Sequence, residues 1–308
     1  MQKIYTIGET LFDIIFKGVE PQTAKPGGSA FNTSVTLGRL GAPVHFISEM
    51  GKDKVGDVIM HFMEENGVGA RYISRYHDGQ SAIALAFLDE NSDAEYQFFK
   101  DYPKKRLDVK TPDFQKDDLF LFGSFYALNP DIRPRVRELV ESADRAGATI
   151  MYDPNFRSTT APGKDQMVSL ISENMGYATL VRASNEDLVN IFDISSPDEA
   201  WEKVSPITDA LVYTANAGGV YLRSGSLSFH MEVDRIEPVS TIGAGDTFNA
   251  GLLYGLWKNG YKREQIKALD RSQWEELIAT AIRFSREVCM SFENYLPQEY
   301  VNQLKQQK

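Results

Sequence analysis

Four short strand-like runs, at residues 119–122, 149–152, 180–182 and 210–213, recur through the second half of the chain with helical stretches between them. In one such stretch, residues 134–146, Val136, Leu139, Val140 and Ala143 fall on one helical face. Strands covered on both faces read as unbroken apolar runs, and parallel neighbours need a crossover helix between them. The pattern therefore predicts an α/β fold with a mostly parallel central sheet and helices on both faces. In such sheets ligands bind beyond the carboxyl ends of the strands. The polar residues that follow each run are the ones to read for chemistry.

After the first run comes Gly123-Ser124-Phe125-Tyr126, and after the second Asp153-Pro154-Asn155-Phe156-Arg157. The second segment puts a carboxylate, an amide and a guanidinium at one strand end, and Arg157 has the forked geometry that grips phosphate or vicinal hydroxyls. An Asx turn accounts equally well for Asn155. The third run leads into Ala183-Ser184-Asn185-Glu186-Asp187, which also reads as a helix cap with acidic first-turn residues. Thr214-Ala215-Asn216-Ala217-Gly218-Gly219 follows the fourth. Residues 236–240 read as one more strand, ending in Ser240-Thr241-Ile242-Gly243-Ala244-Gly245-Asp246-Thr247-Phe248-Asn249-Ala250-Gly251. Gly243, Ala244 and Gly245 leave backbone N–H groups bare at the start of a helix, and its dipole adds positive potential, so the turn is an anion site. Asp246 opposes simple anion binding there. It suits a base that takes the proton of a hydroxyl attacking the bound anion.

The first half is organised differently. Residues 3–7 read as a strand closed by Gly8-Glu9, and a second β-prone piece runs from Leu11 to Phe16 with Asp13 inside it. A carboxylate in an apolar strand needs a partner, either solvent or a ligand hydroxyl. Pro26-Gly27-Gly28-Ser29-Ala30-Phe31-Asn32 lets the backbone approach a ligand closely and opens a helix over residues 30–40, with Ser29 as N-cap and Asn32 in the first turn. A strand at 45–48 and a helix ending at Asn66-Gly67 follow. Residues 81–88 and 96–99 read as a hairpin about the turn Asn91-Ser92-Asp93. A hairpin cannot join a parallel sheet without crossovers. Residues 11–23 and 81–101 are therefore expected to form a small β-sheet lid, and residues 1–10, 24–80 and 102–308 the α/β core. An aromatic lid face would suit a homodimer through the lids. Near the end, Ser272-Gln273-Trp274-Glu275 reads as a capping box opening the last long helix. From that helix Ala281, Phe284, Ser285 and Val288 are candidates for an adenine pocket or for core.

Composition narrows the partners. With 33 basic and 43 acidic residues the net charge is −10, which opposes nucleic acid or an anionic membrane as partner. Cys289 is the single cysteine and fits a reducing compartment. The four histidines show no metal-ligand spacing. No signal peptide or spanning segment is read, and a cytoplasmic protein is expected.

Gly243-Ala244-Gly245-Asp246 with Thr247-Phe248-Asn249-Ala250-Gly251, and Gly27-Gly28 with Asn32 and the run through Met50-Gly51-Lys52-Asp53-Lys54-Val55-Gly56-Asp57, resemble the two signatures of the PfkB, or ribokinase, family of carbohydrate kinases. The likeness spans nearly the whole chain, in the right order. It implies a ribokinase-like fold with a β lid, ATP and Mg²⁺ as cofactors, and a monosaccharide acceptor. Asp246 would be the catalytic base, with the amides of the 243–246 turn as anion hole. Asp13, Gly27, Gly28, Asn32, Asn155 and Arg157 would bind the sugar. Ser184, Thr214, Asn216, Gly219, Gly243 and Gly245 would bind ATP, and Asp187 would reach the metal through water. Asn216 stands where the family usually has Gly, and Asn tolerates a left-handed backbone. Ser240 and Ile242 depart from the Asp-Thr-Thr that often precedes Gly-Ala-Gly-Asp, which leaves a monovalent-cation requirement open. The overall look leans to fructokinases, so fructose is the first expectation. 2-Keto-3-deoxygluconate, ribose or a nucleoside are the alternatives within the family. A sugar-binding regulator without catalysis would be expected to have lost residues 243–246, which are intact. A dinucleotide-binding reading fails because Gly243-x-Gly245-x-x-Phe248 lacks the third glycine.

Overall fold

The computed structural model describes residues 2–88, 94–156 and 163–306. In chain order, β1 (Ile4–Ile7), β2 (Leu11–Lys17), β3 (Glu20–Gly27), α1 (Ser29–Arg39), β4 (Val44–Gly51), α2 (Lys54–Glu65), β5 (Gly69–Tyr76), β6 (Gln80–Leu88) and β7 (Ala94–Asp101) make up the first third. Then come β8 (Leu119–Gly123), α3 (Arg133–Ala146), β9 (Thr149–Asp153), α4 (Lys164–Tyr177), β10 (Leu180–Ser184), α5 (Asn185–Phe192), α6 (Pro197–Val204) and β11 (Ala210–Thr214). The antiparallel pair β12 (Val220–Ser224) and β13 (Leu227–Met231) precedes α7 (Ala244–Asn259), α8 (Arg271–Cys289) and α9 (Gln298–Gln306).

Among the described residues nine strands form the large sheet, in the order β13-β12-β11-β10-β9-β8-β1-β4-β5. It is parallel from β11 through β5 and antiparallel only at the β12–β13 edge. Its strands alternate between two cores. Ile4, Leu121, Met151, Leu180 and Val212 face the side covered by α1, α2, α7 and α8. Tyr5, Phe122, Tyr152, Val181 and Leu211 face the side covered by α3 to α6. Both faces are dry, which is why these strands read as continuous apolar runs.

The second sheet has the order β3-β2-β6-β7. It reaches further than the sequence suggested, because Lys25, Pro26 and Gly27 continue β3 opposite Asp13, Phe12 and Leu11. The hairpin turn at Asn91-Ser92-Asp93 lies outside the described residues.

Three local expectations are corrected. Residues 236–240 are not a strand: Val239 N–H and Ser240 N–H donate to the carbonyl of Cys289 (2.8 and 3.3 Å), so the segment is tied to the end of α8 rather than to a sheet edge. Ser29 is the first helical residue of α1 and caps nothing, because Gly28 holds the cap position. The capping box of α8 is Asp270 with Gln273, two reciprocal bonds of 2.9 Å, and Ser272 falls inside the first turn. Strand β5 and the β12–β13 hairpin were not read from the sequence.

Helix α7 is buried along residues 247–256 and packs against both α1 and α8. Close approach to α8 depends on missing side chains. A Cβ on Gly251 would lie 2.5 Å from Ala281 Cα, and one on Gly255 would lie 2.5 Å from Leu277 Cδ2. We predict that Gly251→Ala, which must push backbone rather than a rotatable side chain, destabilises the fold by about 1–3 kcal/mol in urea unfolding. An unchanged midpoint would show that the α7–α8 contact is loose.

Candidate functional site

The carboxyl ends of β9, β10 and β11 open onto a cleft of about 980 Å³. Ser184, Thr214, Asn216, Gly219, Gly243 and Gly245 all line it, so the residues expected to meet the nucleotide converge. Asn216 adopts φ +47°, the left-handed geometry read from its place in the loop. Ser285 is on the cleft wall, whereas Ala281, Phe284 and Val288 are core. Beside Ser285, α8 contributes Ala279, Ile282, Arg283 and Arg286 to the wall, an i, i+3, i+4, i+7 stripe next to the buried one. That stripe was legible in the periodicity and was not read.

At the cleft floor, Gly243 caps α7 with φ +80°. A side chain there would strike the carbonyl of Asn294, 2.1 Å from the ideal Cβ position. The turn spends one of its expected donors on itself, since Ala244 N–H donates to the Thr241 carbonyl at 3.2 Å. The Gly245 amide, at the second helical position, has no acceptor within the helix.

Asp246 faces the start of α1. Its Oδ1 accepts from Ser29 Oγ at 2.6 Å and its Oδ2 from Asn32 Nδ2 at 2.8 Å. Thr33 Oγ1 donates to its carbonyl at 2.9 Å. Asn32 is buried, and its Oδ1 has no hydrogen-bond partner among the described residues. Ser29 was missed as a site residue because a serine before a helix reads as a cap. Gly28, at φ +125°, brings its backbone so close to Glu9 that a Cβ would sit 2.3 Å from the Glu9 carbonyl. Gly27 lies against Asp13, whose Oδ2 would be 2.1 Å from any Cβ there. Burial raises the Asp13 carboxyl to about 7, against the pull of Lys25 on the neighbouring strand.

Asn155 lines the same cleft, its N–H donating to Asp153 Oδ1 at 3.0 Å. Arg157 lies outside the described residues. Asp187 and Ser184 form a capping box for α5. Asp187 Oδ1 accepts from Phe156 N–H at 2.6 Å, and Oδ2 accepts from both the N–H and Oγ of Ser184. Burial, followed by the neighbouring Asp153, pushes its carboxyl upward. Those bonds match the helix-capping alternative weighed from the sequence. Among the described residues no group of three or more His, Cys, Asp or Glu side chains could hold a metal ion.

A second set of charges stands where β1, β4 and β8 end. Glu9 accepts from Lys100 Nζ at 2.7 Å and from the Tyr102 hydroxyl. Glu49 accepts from Arg106 Nε at 2.6 Å and Leu107 N–H at 2.5 Å. The Arg106 guanidinium stacks 3.5 Å over the Tyr102 ring, and the buried Tyr126 hydroxyl has no hydrogen-bond partner among the described residues.

Residues 1–287 match the pfkB family of carbohydrate kinases. The chain belongs to the PfkB family. It is an ATP-dependent carbohydrate kinase of ribokinase-like fold. Relatives of this kinase include the aminoimidazole riboside kinase of Salmonella typhimurium, 25% identical over 83% of this chain and 81% of that one. The fructokinase of Vibrio alginolyticus is also 25% identical, over 84% and 87%. Among solved structures, a Vibrio cholerae fructokinase with fructose, ADP and potassium superposes with a TM-score of 0.85, 20% identity and 98% coverage of both chains. The Salmonella enterica aminoimidazole riboside kinase bound to its riboside and an ATP analogue gives 0.80, 23% and 99% of both.

Asp13 gives the kinase a measurable pH signature. Its carboxyl holds a proton up to about 7 in the fold but only to 3.8 in a free chain. Well below pH 3.8 both states are protonated and burial of the charge carries no penalty. As pH rises toward 7 the unfolded chain ionises first, and stability falls. We predict that Asp13→Asn is more stable than the parent by about 1–4 kcal/mol at pH 8 and about equal to it at pH 3, read by urea unfolding. Identical differences at both pH values would remove the buried-carboxylate account.

Proposed function

We propose that this kinase transfers the γ-phosphoryl group of ATP to a primary hydroxyl of a neutral monosaccharide, with fructose as the substrate and fructose 6-phosphate as the product. One observation carries the reading: a single carboxylate, Asp246, stands in the first turn of α7 on the nucleotide cleft and is held by Ser29 and Asn32 of the Gly-Gly segment. A hydroxyl placed at that carboxylate is in line with a phosphoryl group seated on the α7 turn. Its oxygen attacks phosphorus, its proton passes to Asp246, and ADP leaves with the bonding electrons. The Gly245 amide and the helix dipole receive the charge that develops on the phosphoryl oxygens. The unpartnered Asn32 Oδ1 and the Asp13 carboxylate are acceptors for sugar hydroxyls, and Gly27 and Gly28 let the ring lie close.

Charge on the acceptor side favours a neutral sugar over 2-keto-3-deoxygluconate. Lys100 is matched by Glu9 and Arg106 by Glu49, while Lys25 neighbours Asp13. A sugar acid would find Lys100 and Arg106 already engaged by carboxylates. Ribosides such as the substrate named for the Salmonella relative are the second reading, since they are uncharged too.

Mg²⁺ takes few protein ligands when phosphates supply the rest. Asp187 has both oxygens engaged, so a carboxylate available on the cleft wall for a metal-bound water is its neighbour Glu186, which accepts from Asn216 Nδ2 at only 3.4 Å. Mg²⁺ bound with ATP would neutralise phosphate charge there. Half-exposed Phe98 and Phe99 on the small sheet support that sheet as a lid and as the contact in a homodimer. A single cysteine fits a cytoplasmic setting, and no helix among the described residues is long and apolar enough to cross a membrane.

Coupled detection of ADP release with a panel of fructose, ribose, aminoimidazole riboside and 2-keto-3-deoxygluconate should give the highest kcat/KM on fructose. Turnover confined to the sugar acid would overturn the neutral-sugar reading. Asp246→Asn should retain ATP and sugar binding while losing turnover by ~10²–10⁴-fold. Near-parental turnover in that variant would remove Asp246 as the base.

A further inference from the structure

Arg182 belongs to neither set of residues expected from the sequence. It sits on β10, with 9% of its surface exposed, on the same sheet face as Leu180 and therefore under α7. Two of its nitrogens are fixed. Nη1 donates to Asp153 Oδ2 at 3.0 Å and Nη2 to Thr214 Oγ1 at 2.8 Å. The third, Nε, is buried with no hydrogen-bond partner among the described residues. Asp153 is held in turn, with Asn249 Nδ2 on its Oδ2 at 2.6 Å and the Asn155 N–H on its Oδ1. The guanidinium lies 5.6 Å from the Phe248 ring and on the lining of the nucleotide cleft.

Its relation to the anion turn is the telling feature. A Cβ on Gly245 would lie 3.1 Å from Arg182 Nη1. Only the bare backbone of Gly245 separates the guanidinium from the space before the helix. Glycine at 245 thus does two things: it offers an amide to an anion and leaves no side chain between that anion and a fixed positive charge. A charge in a partly desolvated site acts over several ångströms, and a clamped one needs no reorganisation when negative charge arrives.

We propose that Arg182 is a positioning residue for phosphoryl transfer: clamped by Asp153 and Thr214 beneath Gly245, it holds the first turn of α7 in place and supplies the positive field that seats the terminal phosphate of ATP. The inference rests on the kinase activity and goes beyond the carboxylate and amides that activity needs. A field at this point acts on the terminal phosphate and leaves the affinity for ADP alone.

The test compares Arg182→Met, which keeps length and loses charge, with Arg182→Lys, which keeps charge and loses the fork. Steady-state kcat is measured alongside calorimetric affinities for ADP and for the non-hydrolysable β,γ-imido analogue of ATP. In Arg182→Met, kcat should fall about 10²-fold or more, the imido analogue should bind about tenfold more weakly, and ADP should bind within about twofold of the parent. Arg182→Lys should recover at least about tenfold of the lost kcat. Parallel loss of both nucleotides, or unchanged kcat in a folded variant, would overturn the proposal. If Arg182→Met does not fold, Arg182→Lys decides alone: a lowered kcat with parental ADP affinity supports the assignment, and parental kcat sinks it. Absence of turnover in the unsubstituted protein would instead be a failure of the kinase reading.

Discussion

The carboxylate of Asp246 joins the two halves of the site. It belongs to α7, whose first turn faces the nucleotide cleft, yet both its oxygens are held from α1, by Ser29 and Asn32. Charge-assisted hydrogen bonds of 2.6 and 2.8 Å between helix starts fix where those helices can lie relative to each other. The Thr33 hydroxyl adds a bond to the Asp246 carbonyl, so main chain and side chain are anchored together. The central sheet, the small sheet and the α7–α8 packing serve to bring these two helix starts into register.

Around that link the protein buries far more charge than an ordinary core tolerates. Asp153, Asp187 and Arg182 are nearly inaccessible at the ends of β9 and β10, and Glu49 is buried against Arg106 at the end of β4. Each has partners, as burial requires. Asp13 is the exception in degree: its one cation, Lys25, does not offset its desolvation. A folded protein that keeps such a group gives up stability at neutral pH, a pattern expected where ligand hydroxyls supply the missing bonds.

How much the chain declared beforehand follows from the range of the interactions. The parallel strands were legible because burial on both faces writes itself into each strand locally. The Gly-Gly and Gly-Ala-Gly-Asp turns were legible because a main-chain requirement selects residue type directly. Residues 236–240 carry β-prone side chains but bond to the distant Cys289 carbonyl, and nothing local reveals that. Ser29 has the letter of a cap and the role of a tether. Arg182, Lys100, Arg106 and Tyr126 acquire meaning only from partners brought from other segments, and a single arginine in a strand offers no periodic or spacing signal. Asp187 could be read either way, and its bonds match the cap.

The turn at Gly243 rests on the backbone of Asn294, while Val239 and Ser240 hang from Cys289. The same stretch reaches α1, where Leu296 N–H donates to Thr36 Oγ1 and its carbonyl accepts from Arg39. During synthesis the glycines of the turn leave the ribosome some fifty residues before the segment that braces them, roughly ten seconds earlier at slow elongation rates. The nascent chain can complete its sheet while still tethered, but the glycine turn at the start of α7 stays unbraced until residues 289–296 emerge and dock.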